Sequence, residues 1–312
     1  MKKSILCAAA IGMLALTSCD TTGDQATMTR NFNVSTYNLV TPLTSEGSIQ
    51  VTPSTYAISF EYYAAKAKFQ VTDLEYQPGV KTSFLSDEIS GYAYNYNATD
   101  GKQYNAVQFS ANNIAMQSGP ALTSLNCTIT DAYVTNSTTL PDMTKPIYAP
   151  LYAGFNYILD GKYRVRTFWP NTCFIGETVS HGTDMSGNEF SGVTSTGTTY
   201  RVVMKLDDKA AYKADVYLVD FQLVTGMPKI NIVVQDLDLK FTADGYEISG
   251  ANVIPGTIED SAITPTPRYV FNSFALECSG DLSRATGSYT VAGKYGATFS
   301  VNCIYQAAKE EK

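Results

Sequence analysis

The side chains of this 312-residue sequence that bear most directly on chemistry are one histidine, four spaced carboxylates and a row of tyrosines. His181 is the only histidine, and Ser180 and Asp184 flank it in Ser180-His-Gly-Thr-Asp184. The nucleophile, base and orienter of a hydrolase converge from rigid, separated segments, which neighbours in one Gly-containing loop rarely do. No Gly-x-Ser-x-Gly elbow is present either, so His181 reads as an exposed loop residue. Asp73 and Asp220 occupy like positions in two strand-like runs, and Asp236 and Asp238 alternate along a third. A glycosidase needs two carboxyls roughly 5–9.5 Å apart; the plainer reading is a strand's solvent face, or a carboxylate that ties down a loop. There is no Asp-x-Asp-x-Asp-Gly calcium loop, no phosphate-binding Gly-Lys-Ser/Thr and no His-based zinc set. The expectation is a non-enzyme with no cofactor and no metal. Tyr92, Tyr94 and Tyr96 alternate, so in a strand all three project from one face. Facing solvent, they make a platform for sugar rings or a partner protein; facing inward, they are core. Trp169, the only tryptophan, sits in Phe168-Trp-Pro170 as a domain-packing anchor or a ligand stacker.

Two of the six cysteines, Cys7 and Cys19, lie in a distinctive opening segment. Lys2 and Lys3 precede an apolar run over residues 5–16, which ends in Leu16-Thr-Ser-Cys19. This run is shorter than the roughly 20 residues that span a bilayer and has the layout of a secretory leader. The closing residues are similar to the lipobox of bacterial lipoproteins. That similarity implies cleavage before Cys19 and acylation of Cys19, palmitate among the chains. Residues 1–18 are then a signal peptide and 19–30 a lipidated tether, with the membrane as partner through the lipid. Cys127, Cys173, Cys278 and Cys303 remain. Cys278 and Cys303 end two strand-like runs, 269–278 and 298–305, and form a disulfide if those runs are neighbours; otherwise all four are buried small hydrophobes.

Those residues need a scaffold, and composition points to strands. The chain carries 22 basic and 29 acidic residues, net −7, without a basic cluster, which excludes nucleic acid as a partner. It has 22 Tyr and 14 Phe amid many Thr and Val, a strand-favouring composition. Asp100-Gly101, Asp160-Gly161 and Asp244-Gly245 supply hairpin turns. Tyr163, Val165 and Thr167 alternate with Arg164 and Arg166, the period of a half-buried strand.

The runs also repeat. Residues 56–62 match 200–206 and residues 69–76 match 216–223, with Asp73 on Asp220. Phe32 matches Tyr163, Phe109 matches Phe271 and Phe155 matches Phe299. The expected fold is therefore all-β, with two tandem antiparallel domains at 31–160 and 161–308, the second a duplicate of the first. Each is a calycin-like barrel or a β-sandwich. Residues 61–68, helix-like in isolation, become strand–turn–strand through their counterpart at 200–223.

Residues 163–169, 213–228, 245–250 and 254–255 resemble uncharacterised envelope lipoproteins of Bacteroides and its relatives. The resemblance implies an all-β lipoprotein at the outer membrane, on its periplasmic side or at the cell surface, and brings no activity with it. Asp20 and Asp24 are similar to that group's surface-export signal. Asp20-Thr21-Thr22 and Asp260-Ser261-Ala262 are similar to its O-glycosylation sequon, which makes Thr21 and Ser261 candidate acceptors. The leading expectation is a non-enzymatic binding or accessory module for a glycan or small apolar ligand, or for a protein partner. The alternative is a structural subunit of fimbrial or adhesin type.

Overall fold

The computed structural model describes residues 29–44, 47–61, 66–86, 88–97, 103–118, 126–135, 153–168, 170–184, 186–222, 227–259, 262–279 and 284–303. The architecture is all-β, in two antiparallel sheets. The first holds β1 (Thr29–Pro42), β2 (Gln50–Glu61), β3 (Lys66–Gln77), β4 (Val80–Ser86), β5 (Ile89–Asn97), β6 (Gln103–Ser118), β7 (Asn126–Thr135), β8 (Ala153–Leu159) and β9 (Tyr163–Phe168). The second holds β10 (Asn171–Thr183), β11 (Glu189–Ser195), β12 (Thr199–Lys205), β13 (Lys213–Phe221), β14 (Ile230–Thr242), β15 (Gly245–Gly250), β16 (Gly256–Glu259), β17 (Ala262–Pro265), β18 (Phe271–Cys278), β19 (Arg284–Val291) and β20 (Tyr295–Cys303). Among the described residues no helix is long and apolar enough to cross a membrane.

Both sheets curl. In the second, neighbours run β10, β12, β13, β14, β15, β18, β19, β20 and back to β10, a closed antiparallel barrel of eight strands. β11 lies beside β10, and the β16–β17 hairpin hangs from β14. In the first, neighbours run β1, β2, β3, β4, β6, β7, β8, β9 and back to β1, with β4 and β5 sharing the position between β3 and β6, so pairing of β2 with β3 and of β1 with β9 over residues 37–42 curls this sheet into a second ring. Position by position the two sheets correspond. Tyr56 on β2 answers Tyr200 on β12, and both are fully buried. Asp73 and Asp220 both take a left-handed backbone, φ 59° and 54°, where β3 and β13 bulge. The Asp73 amide donates to Ser83 Oγ and the Asp220 amide to Asn231 Oδ1, each across to the next strand.

Three sequence matches shift by one strand position around the ring. Phe109 and Phe271 lie on β6 and β18, Phe155 and Phe299 on β8 and β20, and Phe32 and Tyr163 on β1 and β9. The first sheet also extends past residue 160. Asp160 and Gly161, φ 53° and 64°, form the turn between β8 and β9, and β9 then pairs β1. The division between sheets therefore falls after Phe168, because β9 completes the first sheet rather than starting the second.

The second barrel is filled by rings. Tyr200 and Phe299 stack at 4.5 Å, and Tyr289 packs on Phe274 and Phe299. Gly287 faces Phe299 across β19 and β20, and a Cβ there would overlap both that ring and the Ala275 carbonyl. Glycine is what lets the ring lie flat over the strand. Tyr200 OH shares a 2.8 Å hydrogen bond with Thr178 Oγ1, and burial pushes the Tyr200 phenol up to about 12 despite that bond.

The two sheets meet along β1 and β9. Tyr37, Leu39, Arg166 and Phe168 point away from the first barrel toward the second. Phe168 lies 6.0 Å from Tyr37 and 5.3 Å from Phe241, whose ring meets Tyr212 edge-on. Arg166 Nη1 donates to the Ala243 carbonyl at 2.9 Å. Leu39 and Phe168 belong to the same apolar cluster as the second barrel's interior.

Candidate functional site in the first barrel

The side of β1 and β9 opposite that seam is polar, although it is equally buried. Alternation turns Thr36 and Asn38 inward where Tyr37 and Leu39 turn outward. β2 brings Thr52 and Ser54 beside them, in register with Asn38 and Thr36. Asn38 is fully buried and is the hub. Its Nδ2 donates to Ser54 Oγ at 2.6 Å and to the Thr52 carbonyl at 3.3 Å. Its Oδ1 accepts from Tyr56 OH at 2.7 Å and from Thr167 Oγ1 at 3.2 Å. Tyr56 OH also lies 3.2 Å from Tyr157 OH and 3.0 Å from Thr167 Oγ1. One step along the seam Val40 pairs with Val165, so the hydroxyls have an apolar layer on that side. Phe84 meets Tyr157 edge-on at 5.8 Å and fixes its ring.

Three further hydroxyls face the same interior. Thr36 and Thr52 share the inward faces of Asn38 and Ser54, and Thr82 lies two residues from inward-facing Phe84. They are 3%, 4% and 2% exposed, and none of the three Oγ1 atoms has a hydrogen-bond partner. Buried polar groups are normally satisfied. An unpaired buried hydroxyl costs about 1–3 kcal/mol, so three on one inner surface are a departure that calls for a reason. Chemically the set is neutral: it offers donors and acceptors, without a charge, a base or a metal-ligand cluster. Among the described residues no group of three or more His, Cys, Asp or Glu could hold a metal ion.

The sequence-predicted positions lie elsewhere. Cys19, Thr21, Trp169, Ser261 and the Asp100-Gly101 turn lie outside the described residues. Tyr92, Tyr94 and Tyr96 sit on β5 opposite Gln108, Ala106 and Tyr104, and their side chains also lie outside them. His181 is exposed on β10 opposite Gly296, so it belongs to a strand rather than the expected loop. Ser180 is buried, and the Asp184 carboxylate accepts from the amides of Asn188 and Ser186. These bonds, the Asn188 ones first, hold its pKa below the usual carboxylate range.

The four carboxylates are not brought together. Asp236 and Asp238 are 74% and 75% exposed and pair with Lys205 and Lys213, and Asp73 and Asp220 sit on bulges of different sheets. Asp215, unnoticed in the sequence, is buried: it accepts from Lys205 Nζ at 2.8 Å and from the Asp236 amide at 2.9 Å.

The Cys278–Cys303 pairing needs correction. β19 runs between β18 and β20: Cys278 faces Ala285, which faces Val301, and Cys303 lies two residues beyond. Two strand spacings place the Cα atoms about 10 Å apart or more, past disulfide reach. Cys278 is a buried thiol.

The polar cluster itself escaped the sequence reading, because inward Thr, Asn and Ser have the hydropathy of an outward face. Its one signal was Tyr56, matched to Tyr200 by the repeat. The chain matches no protein-family model, no curated protein and no solved structure.

Proposed function

We propose that this chain is an outer-membrane lipoprotein of the Bacteroides type, acylated on Cys19. Its paired barrels serve as a non-enzymatic binding or accessory module for a glycan or small apolar ligand. The observation that carries this reading is the buried hydrogen-bonding cluster on the described inner wall of the first barrel, which has hydroxyls to spare. Small antiparallel barrels hold a single ligand within the ring of strands. The leader at residues 1–19 supports the envelope placement. A fimbrial role would use strand exchange, and ring closure in the second sheet favours the binding reading over it.

Two measurements test the proposal. Labelling of cells with radioactive palmitate should mark the wild-type protein and not Cys19→Ala. Protein lacking residues 1–19 should bind on a glycan array or from a lipid extract. Silence on both, or polymers of trimmed protein on cells, would count against it.

A further inference from the structure

We infer that the interior of the first barrel is the binding site and that its ligand is a neutral, polyhydroxylated molecule of sugar type. The inference rests on the binding reading above and narrows it. Four observations carry it. First, Asn38, Ser54, Tyr56, Tyr157 and Thr167 form one connected cluster whose members are all at least nine-tenths buried. Second, Thr36, Thr52 and Thr82 present hydroxyls to that interior with no partner. Third, every one of these side chains is uncharged. Among the described residues of this wall a buried phosphate, sulfate or carboxylate would meet no counter-charge, and burying an unpaired charge is far more costly than burying a neutral hydroxyl. Fourth, an alkyl chain would leave the three threonines unpaired, whereas a sugar hydroxyl both donates and accepts, as threonine does.

A hydrogen bond made only with ligand separates stability from affinity, which gives the test. Full-length protein in detergent is titrated calorimetrically with a panel of neutral mono- and disaccharides, including glucose, galactose, N-acetylglucosamine and maltose. Glucose 6-phosphate and palmitate are the comparison probes. The variants are Thr36→Val, Thr52→Val and Thr82→Val, singly and together. Each removes one hydroxyl and keeps the branched shape, so the fold survives.

The expected result is one-to-one binding of a neutral sugar, weaker or absent binding of glucose 6-phosphate, and roughly tenfold weaker sugar binding for at least one single variant. A tenfold loss corresponds to about 1.4 kcal/mol. The unfolding midpoint without sugar should be unchanged or raised in every variant. Sugar binding that all three substitutions together leave intact overturns the inference and leaves the binding reading standing, with its site elsewhere. Palmitate binding without sugar binding overturns the ligand class alone. A fall in stability for the variants without sugar shows hydroxyls satisfied by trapped water and overturns the inference. No binding of any probe, with silence on the glycan array, removes both readings.

Discussion

Replacing Phe168 by Ala tests whether the β1–β9 seam joins two barrels into one cooperative unit. The Phe168 side chain is 5% exposed and lies between Tyr37 at 6.0 Å and Phe241 at 5.3 Å. Truncating a buried Phe to Ala costs about 3–5 kcal/mol, the larger part when the surroundings cannot collapse. Strands hold both walls of this site, so little collapse is expected, and each lost ring pair adds about 0.5–1.5 kcal/mol to plain burial. A loss of about 4 kcal/mol follows. Most of it belongs to contact between sheets, since Phe168 turns outward from its own barrel. Differential scanning calorimetry of the wild type should give one transition, and of Phe168→Ala two. Arg166→Gln, which weakens the 2.9 Å bond to Ala243, should lower the midpoint by a smaller step without splitting it. The reasoning is refuted if Phe168→Ala loses less than about 1 kcal/mol, or if the wild type already unfolds in two steps.

Four other outcomes follow from geometry given above. Asp73→Val and Asp220→Val should each cost about 1–2 kcal/mol in urea unfolding, because a left-handed backbone resists a branched side chain; Gly at either position should be near neutral. Lys205→Met should lose about 2 kcal/mol by leaving the buried Asp215 carboxylate short of its cation, and adding Asp215→Asn should recover part of that loss. Gly287→Ala should reduce the yield of folded protein, since the overlap involves the Ala275 backbone as well as the movable Phe299 ring. At high pH, burial holds Cys173 at about 11 and Tyr200 at about 12, against ordinary values of 9.0 and 10.0. Folded pKa values above the unfolded ones give a contribution complete below pH 9 and lost as pH rises toward 12; the urea midpoint should hold level to pH 9 and then fall.

Strand alternation and the Asp-Gly turns made the all-β character legible in the sequence, and Tyr56 with Asp73 marked the repeat. The remainder depended on contacts between segments far apart in the chain. β9 shows the difficulty: Val165 and Thr167 face one interior, while Arg166 and Phe168, which read as a solvent side and a strand end, are covered by the other sheet. A strand buried on both faces by different partners has no signature in periodicity. Nothing in residues 36–54 distinguishes inward threonines from outward ones until Asn38 is seen bonded to Tyr56 from the neighbouring strand.

Thr36, Thr52 and Thr82 also set what selection does to this protein. A library chosen only for survival of heating would discard these three hydroxyls early, since valine keeps the branched shape and relieves an unpaired group. A library passaged through cells that depend on the protein would retain them at that same expense. The divergence of the two populations at three codons would report, without any ligand in hand, whether the barrel is kept imperfect for use.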